Sequence, residues 1–529
     1  MRIYPIQVFC LGVVCFSSMA LAQDLPSEPI VCEYPRLPER LPFASLDPTR
    51  LAAAVEAEPN STANTAQVVP LGFAGGQQQD VDIDGQITPF DQDWYSFTAN
   101  GGDTIGVAVL AIDAANLDSH VSIRGPNGAS LLQNDQHGGI ASFYPPESQF
   151  PAGGTVRDSA LTFAIPQTGT YFVHVEGHGA SAGGYRAQLR LRQPPLRGTS
   201  IGTKQILFLD FNGASGVHAD EMFGAGGIHN ATLSNLDIFL PGWGIAANRR
   251  NALIDKIVAN VSTHFAQLLV GTNSQFEILN SKDDQDDFGQ PNVSRVIVGG
   301  KISELGVSTI GIAEYIDPAN YSTDDTAVVL LDLLSAPATN PNSVLSLARA
   351  PGMSVEDAVA HVVACVITHE ACHFLGCWHT ENGNQTASII DRGGNLPNMA
   401  GIGIDGILGT PDDRTPTIHD DNYALEGVGR PQDIQNVRAQ VIASLSVGTV
   451  TPSDETAAMV AMIAGLEIAR QQPDTSAAQA SYTPLNTRLL LSLPEVDPSS
   501  FQPTWESSGH RLDGVIEKLK TRLETLQNE

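Results

Sequence analysis

Residues 369–379 read His-Glu-Ala-Cys-His-Phe-Leu-Gly-Cys-Trp-His, a pattern that predicts a metal site built on a helix. Because an α-helix has about 3.6 residues per turn, His369 and His373 project from one face a turn apart, close enough to bind a single tetrahedral zinc. Gly376 lets the backbone turn sharply, so that His379 can return as a third nitrogen ligand. Glu370 lies beside the first ligand but off its face, where its carboxylate can act on a water in the fourth position as general base.

The pattern resembles the signature of the metzincin clan of zinc endopeptidases, H-E-x-x-H-x-x-G-x-x-H followed by a methionine turn. Met399, within Pro-Asn-Met-Ala-Gly at 397–401, is the first methionine after His379. The resemblance implies that His369, His373 and His379 bind zinc, that Glu370 is the base, and that Met399 lies beneath the metal. No tyrosine closely follows Met399, so the extra tyrosine ligand of the astacin and serralysin branches is not expected.

The region around this stretch, residues 200–447, has the element order of an α+β domain. Apolar runs predict strands at 206–211, 276–279, 296–298, 310–316 and 327–331. Helical spacing of apolar residues predicts helices at 252–268 and 355–375. In the metzincin clan an edge strand before the active-site helix pairs with extended substrate, and residues 311–316 take the corresponding place, with 327–331 as neighbour. The alternative, an ordinary internal strand, remains open.

Residues 55–192 contain short alternating runs separated by Gly, Asn and Asp, which predicts a β-sandwich. They resemble the bacterial pre-peptidase C-terminal domain, a sandwich that accompanies secreted peptidases. The resemblance lies in Glu-Pro-Asn-Ser at 58–61, Asp-Gln-Asp-Trp-Tyr at 91–95, Pro-Gln-Thr-Gly-Thr-Tyr at 166–171 and Gly-Tyr at 184–185. Domains pack their own cores, so we expect the region after residue 198 to fold and cleave short peptides without the sandwich.

The two ends of the chain differ from these domains. Residues 1–22 predict a cleaved signal peptide, because Arg2 precedes an apolar stretch at 6–16 and Ala-Leu-Ala at 20–22. That stretch is shorter than the roughly 20 residues that span a bilayer, which disfavours a membrane anchor and predicts a secreted protein, extracellular or periplasmic. Residues 23–54 are proline-rich and predict a linker or propeptide. Residues 448–529 predict a helical C-terminal region.

The composition excludes some classes of partner. The 529 residues include 28 Lys and Arg against 58 Asp and Glu, a formal charge of −30, which repels nucleic acid and anionic membrane surfaces. Hydrophobic residues make up 42% of the chain, enough for packed cores. The sequence therefore predicts a folded multidomain protein with no nucleic-acid partner and no membrane insertion.

Acidic turns suggest a second cation. Asp405, Asp412 and Asp413 lie among glycines at 403–413, a composition suited to oxygen ligation of calcium, although a solvated acidic turn is the alternative. The same two interpretations apply in the sandwich to Asp82, Asp84, Asp91 and Asp93.

Four cysteines remain after removal of the signal peptide. Cys365 and Cys372 lie seven residues apart on the predicted helix, about 10.5 Å along its axis, and cannot form a disulfide, which needs Cα atoms within about 7 Å. Cys372 can pair with Cys377 across Gly376, which leaves Cys32 with Cys365. Alternatively, the thiolate of Cys32 blocks the zinc, as in the matrixin cysteine switch, although its surroundings do not match that motif.

Together these patterns predict a secreted zinc endopeptidase whose substrates are proteins or peptides. The rival from another class is a noncatalytic adhesion protein on a zincin scaffold, with the sandwich binding an extracellular matrix or surface ligand. A third interpretation, a zinc hydrolase acting on a non-peptide substrate, stays open because zinc-water chemistry does not name the bond cleaved. All five signature residues are intact, which favours the enzyme.

Overall fold

The computed structural model describes residues 51–445 with internal gaps. The gaps are 75–76, 113–115, 135–143, 146–147, 149, 152–154, 156, 194–203, 225, 270–271, 273, 275, 291, 381–387, 392–394, 415–420 and 424–433. The predicted signal peptide, the predicted linker up to residue 50 and the predicted helical region 448–529 lie outside the described residues.

The N-terminal region is a β-sandwich of two sheets, as predicted. The first sheet has the order β1-β4-β11-β6-β9, with β3 paired to β4. Its strands are β1 (Leu51–Val55), β3 (Gly72–Ala74), β4 (Gln77–Ile87), β6 (Thr104–Ala111), β9 (Ser159–Ala164) and β11 (Gly183–Arg192). The second sheet has the order β2-β5-β10-β7-β8. Its strands are β2 (Gln67–Val68), β5 (Gln92–Ala99), β7 (Ser119–Arg124), β8 (Ser130–Asn134) and β10 (Gly169–Gly177).

The sandwich core is closed by apolar side chains from both sheets. Val107 and Leu189 from the first sheet and Val121 and Val173 from the second are fully buried in one cluster. The domain begins at Leu51, four residues before the predicted boundary, because β1 pairs in parallel with β4.

The second region is built on a five-stranded mixed sheet with the order β15-β12-β16-β18-β17. Its strands are β12 (Gln205–Asp210), β15 (Phe276–Asn280), β16 (Val293–Val298), β17 (Gly311–Ala313) and β18 (Thr326–Val329). The pairs along β15-β12-β16-β18 are parallel, whereas β17 runs antiparallel to β18. The strand predicted for 310–316 is therefore shorter than expected and lies at the edge of this sheet, beside β18.

Two long helices pack against this sheet, close to their predicted bounds: α2 (Arg250–Leu268) and α4 (Val355–His373). α4 begins at a capping box, in which the Ser354 hydroxyl accepts from the Asp357 N–H and the Asp357 carboxylate accepts from the Ser354 N–H. The smaller helices are α1 (Ala219–Phe223), α3 (Ile302–Leu305), α5 (Leu396–Met399) and α6 (Val437–Leu445). The remaining short strands are β13 (Ala214–Val217), β14 (Ala231–Leu233), β19 (Ala348–Arg349), β20 (Ile407–Leu408), β21 (Asp421–Tyr423) and β22 (Ile434–Asn436).

The two regions meet in a small aromatic cluster. Trp378 of the second region packs edge-on against Tyr144 of the sandwich, with ring centroids 5.7 Å apart. Its indole N–H lies 3.4 Å from the Thr162 hydroxyl, and Phe150 belongs to the same buried cluster. Trp378 is the residue before His379, so this contact reaches the predicted metal site.

Candidate metal centre

The three histidines of the signature meet at one point in the structure. Nε2 of His369 lies 3.2 Å from Nε2 of His373 and 3.2 Å from Nε2 of His379. All three side chains are buried, with at most 3% of their surface exposed. The helical spacing thus brings His369 and His373 together, and the turn after α4 brings His379 back to them.

The outer nitrogens of two rings are held by backbone carbonyls. Nδ1 of His369 donates to Ile389 O at 2.8 Å, and Nδ1 of His373 donates to Cys377 O at 2.7 Å. A neutral imidazole that donates from Nδ1 carries its lone pair on Nε2, so both lone pairs point at the shared centre. Burial lowers the pKa of His369 to about 4 and, with the neighbouring His369 and His379, lowers the pKa of His373, so the rings stay neutral at physiological pH.

This donor set fits a tetrahedral zinc ion. Zinc–nitrogen bonds of about 2.0–2.1 Å in tetrahedral geometry separate two nitrogens by about 3.3–3.4 Å, close to the observed spacing. Without a cation, lone pairs at this distance repel each other. Three buried imidazoles whose Nε2 atoms converge on one point therefore suit a metal better than they suit a hydrogen-bond network.

Glu370 follows His369 in α4 and is almost fully buried. Its Oε1 has no hydrogen-bond partner among the described residues. Burial raises the pKa of this carboxyl group. Gly311 of the edge strand faces the same group, since a Cβ atom added there would overlap the Glu370 carboxylate. A buried carboxyl with an unused oxygen is suited to accept and return a proton.

The end of α4 explains how His379 is positioned. Gly376 has φ +84°, a conformation that favours glycine, and a Cβ atom there would lie 2.5 Å from Cα of Pro318. After the turn, Thr380 N donates to Ile390 O at 3.0 Å, and the Thr380 hydroxyl donates to Asp391 at 2.8 Å. No motif spacing in the sequence marks Thr380, Asp391 and Trp378, or predicts the contact between Gly311 and Glu370.

Met399 ends the short helix α5 and is 1% exposed. It belongs to the same core cluster as Ala371 and Cys372 of α4, so the predicted methionine lies in the packing that surrounds the metal-site helix. Its role as the floor of the site stays a prediction.

The predicted disulfide between Cys372 and Cys377 is not formed in the structure. Cys365, Cys372 and Cys377 are buried free thiols, whereas Cys32 lies outside the described residues. Burial and a hydrogen bond with the neighbouring Cys372 thiol raise the pKa of Cys377. Pairing of these two cysteines in an oxidising compartment stays a prediction. Sγ of Cys365 lies 3.8 Å from Nε2 of His361.

The carboxylates of the predicted calcium loop accept hydrogen bonds from the loop itself. Asp405 accepts from Ile407 N at 2.8 Å, and Asp412 accepts from Asp405 N at 3.1 Å. Asp413 accepts from Gly403 N at 3.1 Å and from Gly409 N at 2.6 Å. The loop is thus ordered by its own amides, and calcium binding at Asp405, Asp412 and Asp413 stays a prediction.

The acidic residues of the sandwich have separate partners. Asp84 pairs with Arg186 at 2.7 Å and Asp82 with Arg190 at 2.8 Å, across β4 and β11. Asp93 instead lies with Glu56 and Glu58, their ligand oxygens all within 4.8 Å. Burial raises the pKa of Asp93 to about 7. Whether these carboxylates bind calcium is also untested.

Sequence similarity connects the sandwich with bacterial proteases. Residues 91–177 match the family described as bacterial pre-peptidase C-terminal domain, which confirms the predicted resemblance for that part of the sandwich. A probable subtilase-type serine protease of Deinococcus radiodurans is 33% identical over 120 residues, 22% of this chain. The chain spans only 14% of the length of that relative. A protease-associated domain of this kind is consistent with an extracellular or periplasmic protein.

Solved structures give weaker similarities. The pre-peptidase C-terminal domain of a Bacillus anthracis collagenase is 14% identical, covers 26% of this chain and all of its own, and has a TM-score of 0.17. A periplasmic inhibitor of g-type lysozyme from Aeromonas hydrophila is 16% identical, covers 27% of this chain and all of its own, and also scores 0.17. None of the helices in the described part of the chain is long and apolar enough to cross a membrane.

Proposed function

We propose that the protein is a zinc-dependent endopeptidase. The observation that carries this proposal is the convergence of three buried imidazole Nε2 atoms, 3.2 Å apart along two edges, beside the unpartnered oxygen of Glu370. Structural zinc sites usually have four protein ligands, whereas catalytic sites have three and leave a position for water. The protease-associated sandwich supports a protein substrate over a non-peptide one.

In this proposal His369, His373 and His379 hold the zinc. When bound, the ion acts as a Lewis acid on the scissile carbonyl and lowers the pKa of a water. Glu370 takes the proton of that water on its free Oε1 and later delivers it to the leaving amine. Burial raises the pKa of this carboxyl group above its ordinary value, which makes its carboxylate a stronger base towards the water.

The edge strand offers a way to align the substrate. β17 has β18 on one side, and among the described strands no other pairs with it. An extended peptide added to the other side would form main-chain hydrogen bonds. Gly311 of β17 lies against Glu370, so a peptide paired with β17 at Gly311 would pass next to the Glu370 carboxylate. We therefore assign substrate alignment to β17.

One observation favours the noncatalytic alternative. His369, Glu370 and His379 expose at most 1% of their surface, so the site is enclosed by the chain. Closed zinc sites are typical of structural roles, whereas a catalytic zinc needs an open position. An enzyme would have to move covering segments to admit a substrate.

The test separates metal binding from catalysis. Glu370→Gln should keep about one zinc per chain at this site while peptide cleavage falls by roughly 10² to 10⁴, the usual contribution of a general base. His379→Ala should instead lose zinc affinity. Glu356→Gln, on the same helix but paired with Arg249, is the matched control and should keep both zinc and activity. Full activity of Glu370→Gln would refute the mechanism.

A further inference from the structure

A second group of metal-ligating side chains lies on the surface of the same region, outside the centre described above. We refer to His218, Glu221 and His229 as the surface histidine cluster; one ligand atom from each lies within 4.8 Å of the others. Nδ1 of His218 is 3.3 Å from Glu221 Oε2, and Nδ1 of His229 is 3.8 Å from Glu221 Oε1. Asp220 adds a fourth donor, with Oδ1 3.1 Å from Nδ1 of His229.

The two imidazole rings are stacked and present the same edge to the carboxylates. Their centroids are 4.4 Å apart and their planes differ by 28°. A single divalent ion bound to both Nδ1 atoms would match the charge of the two carboxylates.

Asn230 fixes the orientation of one ligand. Its Oδ1 lies 3.1 Å from Nε2 of His218, and because an amide oxygen only accepts, Nε2 carries the hydrogen. Nδ1 of His218 therefore faces the Glu221 carboxylate, an arrangement that a divalent cation bound between the two satisfies. A histidine held through its other nitrogen is the usual arrangement at metal sites.

The position of the cluster gives it a structural consequence. His218 follows β13 directly, His229 comes two residues before β14, and Val217 pairs with Ala231 where this hairpin opens. Phe223 and Leu233 from the same segment pack in a cluster with Ile312 of β17. A metal bound to both His218 and His229 would link the two ends of the segment between β13 and β14. It would thereby stabilise the packing of this segment against the edge strand β17.

We propose that His218, Glu221 and His229, with Asp220, form a second metal site for a divalent transition ion such as zinc. Two imidazoles and carboxylates are the ligand set that zinc and copper prefer, whereas calcium and magnesium prefer oxygen alone. The site is independent of the proposed catalytic zinc, which shares no ligand with it.

The experiment measures metal stoichiometry of the full chain after chelation. Titrated with Zn²⁺, the wild type should bind two ions per chain, and His229→Ala and Glu221→Gln should each bind one fewer. The double variant His369→Ala/His373→Ala should keep the ion at the surface cluster, so failure of the catalytic site and failure of this site give different results. His178→Ala, an exposed histidine of the sandwich, is the control and should bind as the wild type.

Cu²⁺ provides a second readout that does not depend on activity. Its electron paramagnetic resonance spectrum in His369→Ala/His373→Ala should show coupling to two imidazole nitrogens, and to one after His229→Ala is added. Asn230→Ala should weaken Cu²⁺ binding about 10- to 100-fold, as expected for a residue that orients a ligand. An unchanged stoichiometry in His229→Ala, or a Cu²⁺ spectrum that His229→Ala leaves unaltered, would overturn the proposal.

Discussion

Gly311 of the edge strand leaves the space that the Glu370 carboxylate occupies, because a Cβ atom added at Gly311 would overlap Oε1 of Glu370. The edge strand β17 and the proposed base are therefore in direct contact. A change in either one is expected to move the other.

Replacing Gly311 by alanine should consequently lower peptide cleavage without removing the zinc ligands. The added methyl group must displace the Glu370 side chain or the strand, so we expect both kcat and the melting temperature to fall. Gly184→Ala is the matched control, since a Cβ atom there meets only ordinary contacts at 3.6 Å or more. Wild-type activity of Gly311→Ala would show that the contact has no role in catalysis.

Trp378 connects the sandwich to His379, the proposed zinc ligand that follows it. Trp378→Ala should destabilise the protein by about 3 to 5 kcal/mol, as large-to-small changes in cores do, and should also weaken zinc binding because His379 loses its support. Trp243→Ala removes a tryptophan that is equally buried but bonds Leu334, and serves as the control. Equal zinc affinity in the two variants would show that the aromatic cluster around Trp378 does not affect zinc binding.

This contact also bears on the region after residue 198. That this region folds and cleaves short peptides alone stays a prediction, but in the full chain Tyr144, Phe150 and Thr162 of the sandwich contact Trp378. Removal of the sandwich would expose the indole beside His379. We therefore expect the isolated region to bind zinc less tightly than the full chain.

A pH dependence follows from His264, whose Nδ1 lies 2.9 Å from the Thr368 hydroxyl, next to His369. Burial, with a smaller contribution from His361, lowers the pKa of His264 from 6.5 to about 4. The folded protein binds this proton less readily than the unfolded chain, so the stability contribution is present above pH 6.5 and is lost as pH falls towards 4. At pH 5 the free energy of unfolding is therefore lower by about 2 kcal/mol than at neutral pH.

Urea unfolding of the chelated protein at pH 7.5 and pH 5 measures this effect. His264→Gln keeps a hydrogen-bonding side chain but does not titrate, so its free energy of unfolding should decline less between the two pH values. The same decline in the variant and the wild type would assign the acid sensitivity to other groups.

The sequence predicted the parts of the site that depend on helical periodicity. His369 and His373 are fixed by a four-residue spacing on one helix, and Gly376 marks the turn that returns His379. Gly311 was not predictable as a partner of Glu370, because β17 and α4 are far apart in the sequence and meet only through packing against the sheet. The order of the strands in the sheet was not predictable for the same reason, because it depends on contacts between segments far apart in the sequence.

Composition was a weaker guide than spacing. The prolines of residues 23–54 predict a linker that includes most of β1, yet β1 pairs in parallel with β4. In the loop at 405–413, acidic residues and glycines indicate either calcium or a solvated acidic turn. Asp412 and Asp413 accept hydrogen bonds from backbone N–H groups in the structure. Composition alone does not predict these hydrogen bonds.

The most direct test of the central claim is cleavage of a denatured proteome by the purified full chain, with new protein termini mapped with and without chelator. A zinc endopeptidase should generate internal termini that vanish with chelator, return with zinc, and are at least about 10²-fold rarer with Glu370→Gln. A preparation that binds zinc at His369, His373 and His379 yet produces no new termini would contradict the claim and favour the noncatalytic alternative.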